Sequence, residues 1–204
     1  MAHLVLASAS PRRRDLLSQA GYRFAVQASS IPESRQPGED AIRFATRLAR
    51  EKAEAVFAQR PSSALEPWMV LGADTVVVCD SEVMGKPTDD ADAARMLLRL
   101  SGRTHHVVTG VAVVWGSSSP AVELAAELTQ VTLRTLSPDE VARYVASGEP
   151  MDKAGAYGIQ GYAARWIPRI SGCYFNVVGL PVALVTSLLE GVELRLQPKG
   201  SRSE

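Results

Sequence analysis

Aromatic residues, cysteine and histidine are scarce in this chain, and neither sign of charge is in surplus. Phe, Trp and Tyr make up 6% of the 204 residues, so a core has to come from valine, leucine and alanine, which the 46% hydrophobic content supplies. Lys and Arg number 22 and Asp and Glu 22. Zero net charge argues against a protein that grips nucleic acid over a broad surface, where a basic surplus is the rule. It leaves room for a local phosphate pocket. The two cysteines, Cys79 and Cys173, stand far apart among apolar residues and have no partners at zinc-site spacing. Buried free thiols in a reducing compartment are expected. No apolar run reaches the roughly 18 residues of a membrane-spanning helix. Met1-Ala-His-Leu4 leads straight into an apolar run without a leader pattern, so a cytoplasmic protein is expected. A Walker A loop is missing, which excludes an ordinary P-loop NTPase. No serine, histidine and acid set stands out as a hydrolase triad, and there is no internal repeat.

What is present is organised around Leu4 to Leu17. Leu4 to Ala7 is a short apolar run, followed by Ser8-Ala-Ser10-Pro11, three consecutive arginines and a helical pattern. The order predicts strand, tight turn, helix, with Ser10 as N-cap and Pro11 as first helical residue, where a missing N–H costs nothing. Basic residues are unfavourable in a first helical turn unless an anion binds there. Free backbone N–H groups, Ser8, Ser10 and the guanidinium groups of Arg12, Arg13 and Arg14 therefore point to a phosphate site; a solvated basic first turn is the plain alternative. Neighbouring helical side chains diverge by about 100°, so two of the three arginines are expected to serve it.

Further along, Gly21 ends the first helix and Tyr22 to Ala28 reads as a strand. Asp40 to Gln59 is an amphipathic helix that carries Lys52, and a polar connection follows from Arg60 to Pro67. Trp68 to Cys79 is the most continuous apolar run, a buried central strand with a kink expected at Gly72. Asp80-Ser81 turns the chain into a short return strand and Gly85-Lys-Pro. Asp89 to Ser101 is a helix, Thr104 to Trp115 a strand, and Val122 to Thr135 a pair of extended stretches. Ser137-Pro-Asp-Glu140 opens a helix with a capping box, and Gly148 stops it. Met151 to Gly161 is rich in glycine. Ala163 to Ile170 reads as a strand, and Val182 to Leu189 as the last helix. Residues 1–196 form a single domain with a polar, fraying tail from 197 to 204. Strands and helices mix without strict alternation, so the fold class is α/β in the mixed α+β sense, around a mixed sheet.

Asp74 is the most informative single residue. A carboxylate inside a valine and leucine strand is costly unless paired, hydrogen-bonded or metal-bound; a turn-capping role at the end of the strand is the plain alternative. Lys86 in Gly85-Lys-Pro and Lys52 on its helix could reach a phosphate, although most such lysines are solvated. Glu33 lies in a proline-flanked loop. Adjacent His105 and His106 face opposite ways in a strand, and both are read as structural. Together, a cationic anion pocket, two lysines and a buried acid fit a phosphoanhydride substrate with a divalent ion.

Leu6-Ala-Ser-Ala-Ser-Pro-Arg-Arg-Arg14, Leu71-Gly-Ala-Asp-Thr-Val-Val77, Gly85-Lys-Pro, Leu100-Ser-Gly-Arg-Thr-His105 and Asp152-Lys-Ala-Gly-Ala-Tyr-Gly-Ile-Gln-Gly161 resemble the Maf family of house-cleaning nucleoside triphosphate pyrophosphatases. The resemblance runs in order from Leu4 to Leu189. It implies a two-lobed fold around a twisted sheet with a central cleft. The implied reaction is cleavage between the α and β phosphates to a nucleoside monophosphate and pyrophosphate, with Mg²⁺ or Mn²⁺, often in a homodimer. On that basis Asp74 is the base or a metal ligand. Ser8, Ser10, Arg12, Arg13, Lys52 and Lys86 bind the substrate, and Glu33, with Asp152 as a weaker candidate, helps hold metal. Arg14 is the solvated arginine.

Thr75 after Asp74, and Gln160 in Tyr157-Gly-Ile-Gln-Gly161, are similar to the branch acting on dTTP and UTP. The chemistry agrees: uracil and thymine present an N3–H donor beside carbonyl acceptors, which one glutamine amide can pair. A loop amide bonded to its own backbone is the plain alternative. The competing functions are a 7-methyl-GTP pyrophosphatase and a nucleotide-binding regulator of cell division without turnover. The expected partner is a nucleoside triphosphate, with no nucleic acid and no membrane.

Overall fold

The computed structural model of the protein describes residues 2–61, 67–116 and 120–197. Most of the expected connection after Arg60, and the tail from 198, lie outside these. Strand β1 (His3–Leu6) runs into α1 (Pro11–Gln19), and a short β2 (Ala25–Val26) follows. Next come α2 (Ala41–Phe57), β3 (Trp68–Cys79), β4 (Glu82–Met84), α3 (Asp90–Leu100), β5 (Thr104–Gly116) and β6 (Ala121–Thr132). The chain closes with α4 (Pro138–Ala146), β7 (Arg169–Ser171), α5 (Tyr174–Val178) and α6 (Val182–Leu196). The sheet is mixed, in the order β2-β1-β3-β5-β6-β7, with β4 also on β3. β1 is parallel to β2 and β3, and the other pairings are antiparallel. The mixed α/β class expected from the sequence is the one observed.

The helix signals hold. Ser10 and Ser137 cap α1 and α4, the latter in a full capping box, and Gly21 takes positive φ just past α1. Four expectations change. In place of the kink expected at Gly72, β3 pairs with β5 in unbroken register through that residue. The extended pair at Val122–Thr135 is one continuous strand, β6, held along its length by β5. The strand expected at 22–28 shrinks to Ala25–Val26. The first half of Ala163–Ile170 lies in a three-ten turn, Tyr162–Trp166, in which buried Trp166 packs edge-on against Tyr144 and Tyr162, ahead of short β7. In addition, α6 continues to Leu196.

Alternation along the strands sorts the core. Leu4, Leu6, Met69, Leu71 and Ala73 face α1 and α6, whereas Val5, Ala7 and Val70 face α2. The α2 face explains Gly72. A Cβ there would lie 2.0 Å from the Ala49 carbonyl oxygen, and one on Gly110 would lie 2.3 Å from the Ala45 carbonyl carbon. Both glycines, with Ala112 opposite Gly72, let the small side of α2 (Ala45, Ala49, Ala53) lie directly on the sheet. Gly110 is also the cross-strand partner of Asp74. The close approach that removes these side chains therefore sets α2 over Asp74.

Candidate active site

The site begins as a gap in strand pairing. One edge of β3 pairs with β1 at residues 68–71 and with β4 at 77–79. Between them, Gly72 to Val76 has no strand on that side among the described residues. Asp74 and Thr75 open there onto a cavity of about 820 Å³, within the range of small-ligand sites. The cavity lies past the carboxyl end of parallel β1, where the chain turns into α1. In open α/β sheets that is a favoured place for ligands.

Its floor is an ion pair. Lys52 Nζ sits 2.6 Å from Asp74 Oδ1 and 2.6 Å from Glu33 Oε1. The Lys52 and Asp74 side chains are each 10% exposed, and Glu33 is 45% exposed. Burial pushes the Asp74 carboxyl above its ordinary range, assisted by the Glu33 charge and opposed by Lys52 and Arg13. Burial also acts upward on Glu33. There the hydrogen bond from Lys52 and the charges of Lys52, Lys86 and Arg13 outweigh it, and the carboxyl stays below its usual value. One acid thus has its proton affinity raised and the other has it lowered.

The arginine turn forms one wall. Ser8 is buried, and its Oγ accepts from the Ser10 backbone N–H at 3.2 Å and from Arg13 Nη1 at 3.4 Å. Ser10 Oγ caps the Arg13 N–H at 3.5 Å. Arg13 is locked: Nε donates to the Gly179 carbonyl at 2.8 Å and Nη2 to Thr75 Oγ1 at 3.0 Å. Thr75 faces the opposite side of the strand from Asp74 and serves Arg13, with Thr109 2.9 Å away. Arg12 reaches Asp152 at 2.9 Å, whereas Arg14 is exposed beside Asp15. Arg12 and Arg13 line the cavity and Arg14 does not.

Glu149 to Gly161 forms the opposite wall, with Gln160 exposed on it and Lys86 nearby. Asp152 binds Arg12 and Lys153, the latter at 2.7 Å, rather than joining Asp74. Lys52, Lys86, Glu33, Asp74 and Gln160 all line the one cavity. His105, fully buried, bonds Tyr157 Oη at 2.7 Å, and burial lowers its pKa to about 4. It is structural, but through Tyr157 it supports this wall. Glu149 and Thr109 are not singled out by the sequence; Gly161, which makes room for Glu149, is the signal for the first, and the second has none. Of the two cysteines, Cys79 is buried and Cys173 only partly so.

No group of three or more His, Cys, Asp or Glu side chains converges among the described residues. Two carboxylates, Asp74 and Glu33, do share the floor. That is an oxygen donor pair of the kind a hard divalent ion would take.

The family model described as Maf-like protein matches residues 3–192. A dTTP/UTP pyrophosphatase of Koribacter versatilis (strain Ellin345) is 51% identical over 187 residues, covering 91% of this chain and 92% of the relative. One of Moorella thermoacetica is 53% identical over 189 residues, covering 93% and 94%. A HAM1 protein from Coxiella burnetii superposes over 94% of this chain and 100% of its own with a TM-score of 0.49 at 17% identity, too loosely to bear on the site. The family match leaves only the end of α6 outside it among the elements of this fold, and the chain therefore belongs to the Maf family.

Proposed function

We propose that the protein hydrolyses dTTP and UTP to the nucleoside monophosphate and pyrophosphate, clearing these or modified pyrimidine nucleotides from the nucleotide pool. The observation that carries this is a buried carboxylate with raised proton affinity, Asp74, at the floor of a cavity whose wall is an arginine-bearing helix start. The names of the relatives support the substrate pair.

Arg12, Arg13, Lys86 and the N-terminus of α1 hold the triphosphate and match charge that develops on the leaving pyrophosphate. Ser8, Thr75 and the Gly179 carbonyl fix Arg13, so its donors need no reorganisation. Asp74, its proton affinity raised by burial, takes the proton from the attacking water. Before the transfer Lys52 pairs with both carboxylates; afterwards Asp74 is neutral and Lys52 stays paired with Glu33. With Asp74 serving as the base, Mg²⁺ or Mn²⁺ would be held by Glu33, and would neutralise phosphate charge and polarise the phosphorus–oxygen bonds. Gln160 pairs the N3–H and one carbonyl of the base. Guanine in 7-methyl-GTP presents adjacent donors that a carboxylate would suit better, so that alternative is less well served.

The test is turnover with Mg²⁺ or Mn²⁺ on the ordinary triphosphates and 7-methyl-GTP, with pyrophosphate and orthophosphate followed separately. Pyrophosphate from dTTP and UTP, falling by about 10²–10⁴-fold in Asp74→Asn while nucleotide still binds, is expected. Orthophosphate as first product refutes the bond assignment. Nucleotide binding without any turnover in the unsubstituted protein favours the regulator instead.

A further inference from the structure

Gln160 sits on the turn Gly158–Tyr162, closed by a hydrogen bond from the Gly161 N–H to the Gly158 carbonyl at 3.2 Å. The turn rests on Glu149. Glu149 Oε2 accepts from the Tyr162 N–H at 3.3 Å, and Oε1 accepts from the hydroxyl of buried Tyr144 at 3.0 Å. A Cβ on Gly161 would lie 1.9 Å from Glu149 Oε1, yet Gly161 has an ordinary negative φ. Conformational freedom is therefore not why glycine stands there; room for this carboxylate is. The other end of the turn is seated in the same way, since a Cβ on Gly158 would lie 2.7 Å from Lys153 Cε. Lys153 Nζ in turn donates to the Glu149 carbonyl at 2.5 Å and to Asp152 at 2.7 Å. Glu149 is half-buried, and among the described residues no ion pair neutralises its carboxylate. Beside a substrate carrying several negative charges, that is an unfavourable place for an anion with no specific task.

We propose that Glu149 is the positioning residue for base recognition: its carboxylate holds the Gly158–Tyr162 turn so that Gln160 meets the pyrimidine edge in one arrangement. This rests on the role of Gln160 proposed above. A glutamine amide pairs uracil in one orientation and cytosine in the flipped one, so discrimination requires that Gln160 be held rather than merely present. Glu149 does not touch the triphosphate in this account, and its effect falls on the base alone.

The experiment measures kcat and KM for UTP and CTP, and inhibition by tripolyphosphate as a base-free probe, in the unsubstituted protein, Glu149→Ala and Glu149→Gln. Glu149→Ala is expected to lower the UTP-to-CTP ratio of kcat/KM by about tenfold, as loss of a hydrogen bond to a charged acceptor does. The loss should fall on KM for UTP, with tripolyphosphate inhibition unchanged. Glu149→Gln should keep the ratio, because its amide oxygen can accept from Tyr162 while its NH₂ donates to the Tyr144 oxygen. Should Glu149→Ala not fold, Gly161→Ala places a Cβ 1.9 Å from Glu149 Oε1, drives that carboxylate off the turn and should lower the same ratio. A ratio unmoved in the folded variant, or equal losses for UTP, CTP and tripolyphosphate, overturns the inference. An unsubstituted enzyme that cuts UTP and CTP equally removes base reading by Gln160 itself, and this inference with it.

Discussion

Gly72→Ala tests whether the close seating of α2 builds the active site. The added Cβ would start 2.0 Å from the Ala49 carbonyl oxygen, and real contacts of this kind do not fall below 3.0 Å. The obstacle is backbone, so no side chain can swing away, and α2 has to lift by at least about 1 Å at Ala49. Lys52 is the next residue along the same face, three positions on. Lifted by that amount, its 2.6 Å contact with Asp74 passes out of hydrogen-bond range. Overpacking against backbone belongs at the upper end of the usual penalty, about 3 kcal/mol. A misplacement of about 1 Å in the catalytic group costs on the order of a hundredfold in turnover. Urea denaturation reads the first effect, and UTP hydrolysis under conditions where the variant is folded reads the second. A variant as stable as its parent means that α2 can shift freely, and the packing account is wrong. A destabilised but fully active variant refutes the link from packing to the Lys52–Asp74 pair.

Gly191→Ala is the opposite case: it lies inside α6 with open space around its Cβ position, so it should stabilise by about 0.5–1 kcal/mol in the same denaturation assay. His105 predicts an acid-side loss of stability. Its pKa is about 4 in the fold, against 6.5 as the ordinary value, so the unfolded chain takes up the proton first as pH falls. Stability on this account is intact above pH 6.5 and falls by up to roughly 3 kcal/mol towards pH 4. His105→Gln should flatten the denaturation midpoint across that window relative to the parent, and parallel curves for the two proteins would refute the assignment.

The parts of the site that were legible in sequence are those written in a local code. Ser10-Pro11 before three arginines describes a helix start with the wrong sign of charge for its dipole, a conflict that negative charge relieves, as Asp152 does at Arg12. Asp74 was legible by contrast with its valine and leucine neighbours. The illegible parts depend on contacts distant in sequence. Gly72 reads as a kink when only its neighbours are considered, and becomes a seat for Ala49 once α2 is in place. Gly161 answers to Glu149, and His105 to Tyr157, 52 residues away. Lys52 lies between these cases. Taken alone it is one solvated lysine among many. Yet Ala45, Leu48, Ala49, Lys52, Ala53 and Val56 recur at the helical period and are all buried. A cation on an apolar stripe cannot be left without an anion, and a carboxylate on an apolar strand has the same need. Each costly placement, read separately, is ambiguous between a function and an accident of packing. Read together they predict each other, since the least costly way to bury a lone lysine and a lone aspartate in one core is to bury them side by side.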